Sequence, residues 1–234
     1  MNKVIKINSK KSSLAEMVHQ QIRSDIYDLH LLPGERYTEA NLALRYKVSR
    51  TPLRLALHML KREGFLNKGN GHAAWQIPPI DLDYFQDLYE LRVNLELIAI
   101  RRICTLETPP VFSSLKNFWF VSEADRSTDG QLVANADEIF HSTLVKASGN
   151  SEMARVHSDI TERIRIIRRL DFIEGARITA AYEEHANLLR ALIKQKQELA
   201  ELLLKAHIEV SRAEIRNLTL HRLSEAANSN RQLV

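Results

Sequence analysis

The stretch VSRTPLRLALHMLKREGF, residues 48–65, decides the fold of the first third of the chain, because it reads as a helix built to lie in a DNA groove. Ser49 is a good N-cap, and Pro52 sits in the first turn, where its missing N–H is not needed. Leu53, Ala56, Leu57 and Leu60 recur at helical spacing, while Arg50, Thr51, Arg54, His58 and Lys61 point elsewhere. One face is core and the other is basic. A shorter helix, TEANLALRY at 38–46, precedes it with Thr38 as cap and Leu42 buried, and the link Lys47–Ser49 is short enough for a helix-turn-helix. After Gly64, Phe65 and Leu66 read as a short strand, Lys68-Gly69-Asn70-Gly71 as a tight turn, and Ala74–Ile77 as the returning strand. The pattern is that of a winged helix-turn-helix.

Charge separates this reading from that of an ordinary solvated helix face. Residues 1–77 carry 13 Lys and Arg against 6 Asp and Glu, whereas residues 78–234 carry 20 against 23. A basic first domain joined to a mildly acidic second one suits phosphate binding by the first alone. No apolar run approaches the roughly 18 residues of a membrane span, the longest being LELIAI at 95–100. The N-terminal MNKVIKINSKKSS lacks a following apolar segment and does not read as a secretory signal. Cys104 is the only cysteine. It excludes an intrachain disulfide, fits a reducing cytoplasm and is expected to be a buried structural thiol.

Leu14, Val18, Ile22, Ile26 and Leu29 mark a first amphipathic helix that Leu32-Pro33-Gly34 stops. Pro78-Pro79 closes the wing. The spacing places a DNA-binding domain over 1–77, a helical domain over 80–223 and a polar tail over 224–234. Helices are expected at about 82–106, 111–124, 131–147, 151–170, 178–195 and 198–222, with no competing strand pattern. The fold class is mainly α, a winged helix-turn-helix followed by an all-α bundle.

Within the helical domain, Asp137 and His141 in NADEIFH are four apart and share one helix face. If the chain reverses near Lys196, His185 lies about 11 residues before the turn and His207 about 11 after it. At about 1.5 Å per residue, two antiparallel helices bring both imidazoles to the same height, roughly 16 Å from that turn. Three neutral imidazoles and a carboxylate suit Zn(II), Ni(II), Mn(II) or Fe(II), with positions left for water or ligand. The alternative is a set of unrelated solvated or hydrogen-bonded histidines, the expectation held for His19, His30, His157 and His221. His58 and His72, on the recognition helix and in the wing, stand where DNA contact is possible.

PGERYTEANLALRYKVSRTPLRLAL, 33–57, resembles the winged-helix domain of the GntR family of bacterial transcription regulators. YELRVNLELIA, DEIFHSTLVKASGN, EEHANLLRAL and KAHIEVS resemble the FCD ligand-binding domain of its FadR subfamily. The resemblance covers residues 13–218. It implies that Asp137, His141, His185 and His207 bind a divalent metal that helps hold a carboxylate-bearing effector. It also implies DNA contacts from Arg50, Thr51 and Arg54, and secondarily from Arg36, Gly69 and Gly71, to which the wing position of His72 adds a further candidate. Arg50 and Arg54 are selected independently by their ability to grip guanine O6/N7 or phosphate. Arg92, in YELR, matches an arginine that faces the effector pocket, its alternative being a salt bridge to Glu90 or Glu96.

Three positions depart from the family pattern. Leu55 replaces a usual Glu, Gln195-Lys196-Gln197 replaces a usual Gly-Asp turn, and Asn70, His72 and Ala73 are unusual wing residues. The expected function is a cytoplasmic, homodimeric, effector-responsive regulator, in the commoner case a repressor, acting on a roughly palindromic DNA operator. A metal-dependent enzyme fused to a DNA anchor is one alternative, although no H-E-x-x-H or H-x-x-E-H occurs. In that comparison Glu138 and Glu184 adjoin ligands but point about 100° away. A bundle that only dimerises is another.

Overall fold

The structure is a computed structural model that describes residues 13–69, 74–172 and 175–213. The chain divides into two compact units, Met1–Ile80 and Asp81–Val234.

In the first unit, α1 (Leu14–Tyr27) starts from a capping box in which the Ser13 hydroxyl accepts from Glu16 N–H and Glu16 accepts from Ser13 N–H. Its buried stripe, Val18, Ile22 and Ile26, packs on α3 (Arg50–Arg62) through Leu53, Ala56, Leu57 and Leu60. Between them lies α2 (Glu39–Tyr46), capped by Thr38 and ended by Lys47 in the left-handed region at φ 53°. Asp25 of α1 holds α2 in place by accepting from Arg45 at 3.1 Å and Tyr46 at 2.7 Å. Ser49 caps α3 by backbone conformation, without a side-chain hydrogen bond.

The wing differs from the expectation at both ends. A strand β1 (Arg36–Thr38), for which the sequence offers no apolar alternation, pairs antiparallel with β3 (Ala74–Gln76), which in turn pairs with β2 (Asn67–Lys68). Phe65 and Leu66 are not in a strand. Phe65 N–H donates to Leu60 O at 2.9 Å and Gly64 N–H, at φ 86°, donates to Lys61 O. Those two bonds close the α3 C-terminus as a Schellman motif, so ladder pairing begins only at Asn67.

The second unit is helical: α4 (Leu82–Cys104), α5 (Ser113–Trp119), α6 (Gly130–Ala147), α7 (Ser151–Asp171), α8 (Gly175–Ile193) and α9, 197–213. Expected 111–124 is shorter than a full helix, because α5 stops at Trp119 and Ser122 starts a separate 3-10 turn at Glu123–Asp125. Helix α6 packs on α4 and α7, and α5 on α8. Gly130 lets the start of α6 approach the end of α7, since a Cβ there would collide with the Phe172 carbonyl. The α8–α9 reversal places Gln195 in the left-handed region at φ 49°, its side chain donating to Leu106 O at 2.8 Å. Gln195 thus fills the role of the usual glycine turn. Cys104 is half-buried rather than fully buried, and burial together with the Glu201 charge pushes its thiol upward, away from thiolate.

Candidate metal centre and nucleic-acid interface

Helix α6 presents Asp137 and His141 one turn apart, α8 presents His185 and α9 presents His207, all four buried. One ligand atom from each lies within 4.8 Å of all the others. Asp137 Oδ1 is 3.0 Å from His185 Nε2, 3.4 Å from His141 Nε2 and 3.6 Å from His207 Nε2. His141 Nε2 and His207 Nε2 are 3.1 Å apart.

The opposite ring nitrogens fix what those atoms are. His141 Nδ1–H donates to Glu96 Oε2 at 2.5 Å, His185 Nδ1–H to the Ala181 carbonyl at 2.6 Å, and His207 Nδ1–H to Glu184 Oε2 at 2.6 Å. With the proton on Nδ1, each Nε2 carries a lone pair, and all three face the Asp137 carboxylate. His185 Nε2 and Asp137 Oδ1 have no hydrogen-bond partner among the described residues, although both are buried. Acceptors facing one another without a donor are repulsive, and a cation between them removes the conflict. The donor set therefore fits a divalent metal. A metal held there supplies open coordination positions to an oxygen ligand.

Burial lowers all three imidazole pKa values, aided by mutual charge repulsion at His185 and His207, and His207 falls to about 4. The rings are thus neutral and able to ligate at neutral pH. At Glu184 burial acts upward, but the bond from His207 and the charges of His207 and Arg177 outweigh it, holding the carboxyl at about 2. Glu96 is held well below the carboxylate range against its own burial by His141 and Arg92. Trp119 stacks on His185 with ring centroids 4.0 Å apart, and Phe140 meets the same ring edge-on at 4.3 Å. Arg168 pairs with Asp137 Oδ2.

In the first unit, Arg50, Thr51 and Arg54 are exposed along the first two turns of α3, with His58 exposed one turn further on. Arg54 Nε–H donates to Glu39 Oε2 at 2.7 Å, and the His58 ring stands edge-on to Trp75 of β3. Arg36 is exposed on β1, and Gly69 N–H donates to Ala74 O at 2.9 Å at the base of the wing. Gly71 and His72 lie outside the described residues.

The model of the FCD domain matches residues 87–210, and that of bacterial regulatory proteins of the gntR family matches residues 14–74. The Nta operon transcriptional regulator of Aminobacter aminovorans is 34% identical over 180 residues, covering 77% of this chain and 84% of that protein. The chain belongs to the GntR family. Among more distant relatives of this GntR regulator, the gluconate operon transcriptional repressor of Bacillus subtilis is 21% identical over 76% of the chain and 72% of that protein. The regulator shares its fold with a putative GntR regulator from Rhodococcus sp. RHA1, with a TM-score of 0.69 at 19% identity over 88% of this chain and 99% of that one. E. coli McbR/YncC is similar in fold, with a TM-score of 0.63 at 20% identity over 88% and 99% of the two chains. Its family relatives are transcriptional regulators, so the reading as a metal-dependent enzyme falls away.

Of the two readings held for Arg92 in the GntR regulator, the salt bridge to Glu96 is present, whereas His157 and Glu184 join the site without a signal in their spacing. Arg92 is buried in an ion pair with Glu96, its Nε–H donating to Oε1 at 2.7 Å, while its Nη2 has no hydrogen-bond partner among the described residues. His157, expected to be an ordinary histidine, is buried and donates to the same Glu96 oxygen at 2.9 Å. Glu184 does reach the site, because it turns away from its neighbour His185 and towards His207 on α9. Glu138 instead binds Arg165. A signal for Glu96 was present: Leu88, Arg92, Glu96 and Ile100 form one i+4 line, so two charges sit in an apolar stripe. His19 bonds Glu63, and His30 is exposed.

Proposed function

We propose that this regulator is a cytoplasmic homodimeric repressor that reads a palindromic operator with two winged helices and senses a small carboxylate at a metal held by Asp137, His141, His185 and His207. The observation that carries the sensing half is the convergence of three Nε2 lone pairs on Asp137 Oδ1 while every Nδ1 is engaged by an acceptor. Zn, Ni, Mn or Fe suits such a set. Arg168 beside Asp137, together with the ion, adds positive charge that favours an anionic ligand, and Arg92 Nη2 is a second buried donor for one.

The DNA-reading half rests on residues 1–77, the effector and dimer half on residues 80–223, with 224–234 as a tail. Arg50, Thr51 and Arg54 read the major groove, and Arg36, Gly69, Gly71 and His72 approach the backbone and wing contacts. The effector changes operator affinity to the extent that it binds DNA-competent and DNA-incompetent dimers differently.

Elemental mass spectrometry of tag-free protein, purified without chelator, tests the sensing site. The expected result is about one divalent ion per chain, lost in the Asp137→Ala/His185→Ala double variant. Absence of metal in the wild type after incubation with Zn(II), Ni(II) and Mn(II) removes the metal and the carboxylate sensor with it.

A further inference from the structure

The Arg54 guanidinium is held from behind by a carboxylate that is itself clamped. Glu39 opens α2, where the N-terminal peptide dipoles favour its negative charge. Its Oε2 takes the Arg54 Nε–H at 2.7 Å, and its Oε1 takes the Trp75 indole N–H at 3.4 Å. Trp75 is only 1% exposed, so the carboxylate is anchored to the wing strand. The Glu39 side chain is 12% exposed, whereas that of Arg54 is 56% exposed. Burial pushes the Glu39 carboxyl upward, but the bonds from Arg54 and Trp75 and the Arg50 charge win, and it stays ionised. Three elements meet at one head group: the start of α2, the second turn of α3 and the wing.

An arginine has two edges that can form a fork, Nε with Nη2, and Nη1 with Nη2. The bond to Glu39 commits the first edge. The second edge is left for DNA, and its two parallel donors match O6 and N7 of a guanine. The buttressing carboxylate also opposes phosphate approach to the same head group by like-charge repulsion. We infer that Glu39 is a positioning and specificity residue: it turns Arg54 from a general phosphate ligand into a reader of guanine in each operator half-site. This rests on the operator-binding reading above.

The test is selection of duplexes from a random double-stranded pool by the full-length protein, followed by titration of the selected duplex, of the same duplex with its fixed guanines changed one at a time, and of a scrambled duplex. Wild type is expected to fix at least one guanine per half-site. Glu39→Ala is expected to lose on the order of 10-fold or more of the preference at that base pair, while affinity for the scrambled duplex stays level or rises. Glu39→Gln, which keeps the shape and removes the charge, is expected to fall between the two. In an Arg54→Ala background the effect of Glu39→Ala is expected to vanish, since the carboxylate acts through that arginine.

An equal loss of affinity for selected and scrambled duplexes in both Glu39 variants overturns the inference and leaves a structural role, as does unchanged base preference. Failure of wild type to enrich any motif overturns instead the operator-binding reading, and the inference with it. Thermal melting of each variant separates misfolding from altered reading. Should Glu39→Ala fail to fold, Glu39→Gln against the guanine-substituted duplexes decides the matter alone.

Discussion

Glu96 on α4 accepts a 2.5 Å hydrogen bond from Nδ1 of His141 on α6, with both side chains wholly buried. The same carboxylate also takes Arg92 and His157, so one anion neutralises and orients three donors from three helices. A metal ligand held in this way has its tautomer and ring direction fixed before any ion arrives.

Replacing Glu96 by Ala leaves a buried guanidinium and two imidazoles without their acceptor. The expected cost is about 3–5 kcal/mol of stability, read as the shift in a denaturant midpoint at constant slope. Glu96→Gln keeps the volume and is expected to weaken metal binding about 10- to 100-fold. Unchanged metal affinity in titration calorimetry of Glu96→Gln would separate His141 from the metal.

Metal binding is also expected to raise the melting temperature. An ion that binds only the folded state at 100 times its Kd adds about 2.7 kcal/mol. The shift should appear on adding Zn(II), Ni(II) or Mn(II), reverse with chelator and be absent in His185→Ala. A metal-independent melting curve counts against the site.

Trp119 offers an optical readout, because its indole stacks directly on His185 and Trp75 is the only other tryptophan. In a Trp75→Phe background, Zn(II) is expected to change Trp119 emission, and His185→Ala to abolish the change. Emission that ignores the metal while calorimetry detects binding would mean that His185 is not a ligand.

The metal-free protein should lose stability in acid by a defined route. His207 is lowered from 6.5 to about 4 by burial and by the His141 and Arg177 charges, outweighing the bond to Glu184. Between those values the unfolded chain binds the proton and the folded one does not, so stability falls as pH drops from about 6.5 to about 4. Glu184, held at about 2, adds a further loss as pH falls below about 4.5. Denaturant midpoints measured across pH 7.5 to 4 without metal check the sign, and a midpoint that rises towards acid contradicts it.

Arg50→Ala and Arg54→Ala are each expected to cost about 1–3 kcal/mol of operator affinity. Comparing selected with scrambled duplex across salt concentrations distinguishes a base contact from a phosphate contact, since only the latter lowers the salt slope.

The parts of this architecture visible in the sequence are those carried by periodicity. Leu53, Ala56, Leu57 and Leu60 announced α3, and the equal distances of His185 and His207 from the α8–α9 reversal anticipated two rings whose centroids lie 4.6 Å apart. What escaped is long-range or local to a cap. Strand β1 exists only because β3 pairs with it, and Phe65 was lost to the Schellman closure of α3. Glu96 and Glu184 act across helices, where sequence spacing conveys nothing about which side chains meet. Arg92 was correctly paired with its i+4 partner as an alternative, because that contact is local.

His185 differs from the other two imidazoles in what orients it. His141 and His207 lean on the carboxylates of Glu96 and Glu184, while His185 leans on the main-chain carbonyl of residue 181, an acceptor that every amino acid carries. Genetic drift can therefore re-aim or re-tune two of the three rings by single replacements elsewhere in the bundle. The third is insulated from substitution at its partner, and lineages diverging in metal preference should vary around α4 and at position 184 before they vary at Ala181.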